Sequence, residues 1–352
     1  GSPIPAGLRA FRHRNYRLFY AGQAISLVGT WMQAVAQAWL VLTLTNDPFW
    51  LGVVGAVQFS PVVAFGLVGG LVADALPKRR ALVGVQLAMM ILALVLWLLT
   101  ATGAVTVGAV LVLAFFLGVA NAVDMPVRQS FVVEMVGRED VANAVALNSA
   151  MFNGARVLGP AVAGLVIGTV GIPPAFLVNG LSFLAVIAGL LLMRDDELLA
   201  VRLAERPRTP AEVRAALAEG LRYVRATTPV LLATVVVGLV STVAMNFQVV
   251  VPAFARDALG VGADGFGFLM AASGLGSVIA ALGLAVGRPR PSVLLGGALV
   301  LGAAQVALAV TTSYPVAAFL LFLAGAGGIA MAATANTTIQ LAVPDGLRGR
   351  VM

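Results

Sequence analysis

The side chains that could do chemistry in this sequence are few, and two of them are charges where charge is costly. Arg156 sits in NGARVLGPAVAG, residues 153–164, midway along a stretch otherwise free of charge and just ahead of Gly159-Pro160, a pair that weakens a helix. Asp124 follows the charge-free run 81–123, with Asn121 and Arg128 on the same helical face by i−3 and i+4 spacing. A third set is neutral: Gln23, Ser26, Thr30, Gln33 and Gln37 recur at steps of 3, 4, 3 and 4, one continuous helical stripe. Thr234, Ser241 and Gln248 with Asn246, and then Asn336, Thr337 and Gln340, supply similar groups farther along. Soluble-type catalysis lacks its parts. Cysteine is absent and His13 is the one histidine, which excludes a thiolate nucleophile, a disulfide framework, a metal cluster and a histidine triad.

The medium that must position these groups follows from composition. Hydrophobic residues make up 60% of the 352 and charged residues 11%, which is not the balance of a water-soluble domain. Asp, Glu, Lys and Arg are missing from 18–46, 48–73, 81–123, 141–155, 157–193, 226–255, 265–287 and 291–344. A bilayer core about 30 Å thick needs roughly 20 apolar residues per helix, so the longest runs each hold two spans. They lack the period-2 alternation of barrel strands. The pattern predicts an all-α polytopic membrane protein with ten spans near 18–44, 50–73, 81–101, 107–127, 141–168, 175–193, 229–255, 264–286, 292–311 and 316–343. Turns fall at Asn46-Asp47-Pro48, Gly171-Ile172-Pro173-Pro174 and Gly262-Ala263-Asp264.

Lysine and arginine in short loops stay cytoplasmic. With the N-terminus inside, 20 of the 22 fall on that side, leaving Arg256 outside and Arg156 within a span. The net charge of +7 is therefore dispersed topology and implies no nucleic-acid partner. The expected location is the inner (plasma) membrane, and the working unit a monomer. Domains are expected at 1–193, a six-helix bundle, 194–228, a cytoplasmic linker, and 229–352, an incomplete bundle. Within the linker, Thr209-Pro210-Ala211-Glu212 is a capping box with proline at the first helical position. Val213, Leu217, Leu221 and Val224 then share the apolar face of a surface helix. Residues 131–141 and 339–351 echo one another, so the second half is expected to repeat the first, with two further helices after residue 352.

The loop G-G-L-V-A-D-A-L-P-K-R-R, residues 69–80, resembles the G-x-x-x-D-R-x-G-R-R/K signature of the major facilitator superfamily. It matches at Gly70, Asp74, Lys78 and Arg79 and departs at Ala75 and Pro77. The resemblance covers the whole chain and implies two six-helix bundles, with Asp74 helping to latch the halves on the cytoplasmic side. Residues 155–164 resemble the G-x-x-x-G-P-x-x-G-G motif of that superfamily's antiporters at Gly159, Pro160 and Gly164, with Ala155 and Ala163 in glycine places. In the resembled fold, spans 5 and 8 meet between the halves, where span 8 offers the row Ser273, Ser277, Ala281 and Ala285. Residues 121–160 are similar to the branch that holds the enterobactin exporter and macrolide efflux proteins, which favours export. Spans 1, 4, 7 and 10 line the cavity in that fold, so the polar stripes stand on suitable helices.

The expectation is a secondary active exporter of small amphipathic organic molecules, with no bound cofactor and a proton gradient as energy source. No G-x-x-x-x-G-K-[ST] loop occurs. Rivals are an uptake symporter or lysophospholipid flippase of the same fold, and a transporter-like receptor. Two roles stay open for each intramembrane charge. An arginine near mid-membrane costs about 2.5–3.5 kcal/mol on insertion scales, so Arg156 either serves a functional site or bonds carbonyls, Asn153 or Asn148 to fix the seam. Asp124 is either a proton-coupling acid or a gate paired with Arg128 or the Lys78 to Arg80 loop.

Overall fold

Without water to satisfy them, backbone N–H and C=O groups in lipid must bond within their own segment, and long apolar runs therefore become helices. The computed structural model describes residues 6–75, 77–199, 218–219, 221–244, 247–285 and 291–342. Every regular element among them is helical. A 3-10 turn at Ala6–Arg12 leads into α1 (Arg14–Thr45), followed by α2 (Phe49–Ala75), α3 (Lys78–Ala101), α4 (Val107–Val170) and α5 (Pro173–Leu191). After the linker come α6 (Thr228–Ala244), α7 (Phe247–Asp257), α8 (Ala263–Ala285), α9 (Pro291–Leu308) and α10 (Tyr314–Ala342). Within the described residues, stretches of α1, α3, α4, α5, α8 and α10 are long and apolar enough to cross a membrane, and 49–65, 228–240 and 292–308 form shorter apolar helices.

The turns are made by the residues expected to make them. Asn46 takes the left-handed conformation (φ 54°) and its N–H bonds Leu42 O, while Asp47 Oδ1 accepts the N–H of Phe49 at 2.9 Å to start α2. Proline at the first positions of α5 follows Gly171, whose φ of 89° ends α4. One expected loop is absent. The polar stretch 128–140 is helical, and spans 4 and 5 join into α4 with a single break at Gly137 (φ 72°, ψ 173°), a backbone region open essentially to glycine alone. Across expected span 7 the described residues are helical at 228–244 (α6) and 247–257 (α7), with 245–246 outside the described residues. The capping box at 209–212, Val213 and Leu217 also lie outside the described residues; 221–226 is helical with Val224 buried.

The chain divides into two compact units, one of 1–201 with 248–271, the other of 202–247 with 272–352. In the first, Tyr16, Phe19, Leu82, Phe131, Met135 and Leu190 form a buried core, and the Tyr16 hydroxyl donates to Ala144 O at 3.0 Å. In the second, Ala233, Leu294, Met331 and Ala335 pack together. There Gly297 and Gly327 face one another so closely that a Cβ on either would lie 2.6–2.7 Å from the other's carbonyl oxygen. Such approaches replace the hydrophobic drive that lipid removes.

Candidate functional site

Four polar side chains from three helices meet inside the first unit. Asp124 and Arg128 stand one turn apart on α4, and the Arg128 Nη2 donates to Asp124 Oδ2. Asp124 is 0% exposed. Gln86 of α3 donates Nε2 to the other carboxylate oxygen at 2.9 Å, and Arg128 Nη1 donates to Gln23 Oε1 of α1 at 3.2 Å. Three buried atoms of this cluster have no hydrogen-bond partner among the described residues: Gln23 Nε2, Gln86 Oε1 and the Arg128 Nε. Orphans of this kind are costly unless they are met in another state or by a ligand. Lys78 and Arg79 do not reach Asp124. Lys78 Nζ pairs with Glu134 at 2.5 Å, and Arg79 binds the end of α5 through Leu190 O (2.7 Å), Leu191 O (2.8 Å) and Asp195 (2.6 Å). Of the two placements open for Asp124, the carboxylate meets Arg128.

The stripe on α1 is shared among several neighbours. Gln23, Ser26 and Gln33 are buried, Gln37 is half-buried and Thr30 is exposed. Gln33 Oε1 accepts from Asn179 Nδ2 of α5 at 2.7 Å, Gln37 Nε2 lies 3.5 Å from Gln58 Oε1 of α2, and Thr30 donates back to Ser26 O. Interhelical bonds of this type are worth about 0.6 kcal/mol each, so much of the stripe fastens helices. Asn121 is half-buried one turn before Asp124, and Asn336 is exposed on α10. Gly70 lies within α2; the side chains of Asp74 in α2, Gln248 in α7 and Gln340 in α10 lie outside the described residues, as does Asn246 altogether.

Arg156 sits over Trp31 of α1. Its guanidinium carbon is 5.9 Å from the centroid of the Trp31 ring, and Trp31 meets Phe152 edge-on at 5.5 Å. Neither asparagine named as a partner takes the role: Asn153 Nδ2 donates to Ser149 O, and Asn148 Oδ1 accepts from Tyr16. Three residues on, Gly159 presses against Trp31 Cβ, Val28 O and Met32 N. Buried Pro160 follows, and beyond it Gly164 approaches Asp264 O and Gly267 of α8. Spans 5 and 8 thus touch at 264–267 within the first unit. The serine row of α8 packs elsewhere, with Ser277 Oγ donating to Gly325 O of α10 at 3.1 Å.

A second charged cluster escaped the sequence reading. Asp140, 1% exposed, receives His13 Nε2 at 2.9 Å and Arg12 Nε at 2.8 Å, with Arg9 Nε at 3.9 Å, just past the break at Gly137. The neighbouring Asn143 accepts from the Ala10 N–H and donates to Gly7 O. The signal available was a lone histidine among arginines with an acid pair, Glu139-Asp140, elsewhere; only the fold joins them. The His13 hydrogen bond, aided by the charges of Arg12, His13 and Arg9 against the opposing effect of burial, holds the Asp140 carboxyl below the usual range. A depressed carboxylate stabilises above its unfolded value of about 3.9 and loses that contribution as pH falls further. Protection of the Ala10 amide from hydrogen exchange is therefore expected to hold near neutrality and collapse below about pH 4, with Asp140→Asn weakening it at neutral pH and flattening the profile.

A family model described as transmembrane secretion effector matches residues 6–352. The chain is 29% identical over 336 residues to the multidrug efflux pump Tap of Mycolicibacterium fortuitum, covering 92% of this chain and 80% of that protein. It is 24% identical over 168 residues to the staphyloferrin A transporter of Staphylococcus aureus (strain NCTC 8325 / PS 47), covering 47% of this chain and 42% of that protein, less than half its length. Among solved structures, a bacterial homolog to the human lysosomal transporter Spinster, inward-facing and unoccupied, aligns with 99% of this chain and 78% of that one at a TM-score of 0.71 and 14% identity. A D-xylose-proton symporter aligns with 96% and 84% at 0.70 and 13%. At such identities the structures speak for fold alone.

Proposed function

The chain belongs to the transmembrane secretion effector family of the major facilitator superfamily, and from that premise we propose that it exports small amphipathic organic molecules by alternating access and proton antiport. As a member it is a multi-pass membrane transporter and not an enzyme. In this proposal it works in the inner (plasma) membrane as a monomer with its N-terminus in the cytoplasm, in keeping with its basic loops. The observation that carries the coupling is the cluster of Asp124, Arg128, Gln23 and Gln86, drawn from three helices around a fully buried carboxylate.

The chemistry is a charge change at Asp124. While ionised, the carboxylate accepts from both Arg128 and Gln86. Once protonated, it loses its hold on Arg128, whose Nη1 already reaches Gln23 on α1. The Gln86 amide can then turn its free Oε1 toward the new O–H, since amides offer either face. One proton thus redistributes bonds among α1, α3 and α4, the local change a conformational switch needs. Export is favoured by the efflux pump among the relatives and by the Gly159-Pro160 motif in α4.

The test follows efflux of a lipophilic fluorescent dye from proteoliposomes with and without an imposed proton gradient. Gradient-driven movement is expected in the wild type, and Asp124→Asn should abolish the gradient's effect while leaving dye binding in place. Movement indifferent to the gradient in the wild type would remove the antiport reading.

A further inference from the structure

Arg156 differs from the ion-paired arginines in what it meets. Arg128, Arg79, Arg12 and Arg256 each contact a carboxylate. Among the described residues, the contact of the Arg156 guanidinium is an aromatic ring. A guanidinium stays charged at every physiological pH, so it cannot escape burial by losing its proton. Depth removes the other escape. Along α4, Arg156 is about 28 Å from Gly137 and about 22 Å from Gly171 at 1.5 Å per residue, which places it near the middle of a core about 30 Å thick and out of reach of lipid headgroups. Among the described residues no carboxylate or carbonyl bonds its N–H groups, and a guanidinium fork matches a carboxylate's two oxygens. Phe152, one turn before Arg156 on the same face and 46% exposed, stands edge-on to Trp31.

Resting on the export reading above, we infer that Arg156, Trp31 and Phe152 form a substrate subsite for organic anions, in which the guanidinium takes a carboxylate and the two rings take the aromatic or apolar body beside it. The preferred cargo is then an amphipathic arylcarboxylate, and neutral analogues of the same shape are poorer. The missing counter-charge is supplied by the cargo itself.

Binding of 2-naphthoate and of its neutral near-isostere 2-naphthamide to the purified full chain in phosphatidylcholine nanodiscs tests this. The wild type is expected to hold naphthoate about tenfold or more tighter, the value of a charge-assisted pair over a neutral one. Arg156→Gln should erase the preference by weakening naphthoate alone, Arg156→Lys should retain part of it, and Trp31→Leu should weaken both ligands. A monodisperse Arg156→Gln protein that keeps the preference overturns the inference, as does wild-type protein that binds naphthoate no better than the amide. Failure of the export reading shows separately, as absent gradient-driven efflux in a protein whose naphthoate preference is intact.

Discussion

Arg128→Met is expected to destabilise the protein by about 3–5 kcal/mol, the usual cost of stripping one partner from a buried ion pair. The size follows from what is left behind. Asp124 is fully buried, and without Arg128 its charge keeps only the Gln86 amide, at 2.9 Å. Adding Asp124→Leu should restore more than half of the loss, because replacing a buried pair with apolar residues of similar volume is often neutral or better. Recovery stays incomplete, since Gln86 and Gln23 then each lose a partner, at about 1–3 kcal/mol per stranded group. Unfolding of the detergent-solubilised single and double variants, followed by tryptophan fluorescence, measures both quantities. Equal losses in the two would mean that the pair carries no mutual stabilisation. The double variant also separates stability from work: its fold is expected to survive while the cluster has no acid to titrate, so gradient-driven efflux should be absent.

The parts of this architecture that were legible in the sequence are those written locally. Charge-free runs declare helices in lipid because a span tolerates almost no charge, and Asn46 and Pro173 mark turns because their backbones suit those positions. The cluster was half legible: Asp124 and Arg128 share a face by spacing, while Gln86, a single amide in an apolar span with no periodic companion, finds its acid only through the packing of α3 on α4. Polar content misled at 128–140. A run containing Arg128, Glu134, Arg138, Glu139 and Asp140 reads as a loop, yet its acids are met from other segments, by Lys78 and by the arm carrying Arg12 and His13. The stripe on α1 shows the converse limit. Spacing put five polar groups in one line, but whether each faces a cavity or a neighbour depends on residues such as Asn179 and Gln58 in other helices.

Two glycines on α4, five positions apart, should respond oppositely to one added methyl group. Gly154→Ala meets nothing within 4 Å, and removal of glycine from a helix interior is expected to stabilise by about 0.5–1 kcal/mol. A Cβ at Gly159 would strike Trp31 Cβ and lie 2.9 Å from Val28 O and 3.1 Å from Met32 N. Those are mostly backbone atoms of α1, which cannot rotate away, so the helices must part. Overpacking of this kind costs about 1–3 kcal/mol for small insertions, and Gly159→Val should exceed Gly159→Ala. The same separation moves Trp31 from beneath the Arg156 guanidinium, so Gly159→Ala should weaken 2-naphthoate while Gly154→Ala leaves it unchanged. Thermal unfolding and naphthoate binding on both variants decide the matter. Equal stability in the two would mean that α1 and α4 are not in backbone contact at Gly159, and unaltered binding in Gly159→Ala would separate the arginine's function from its seat on the ring.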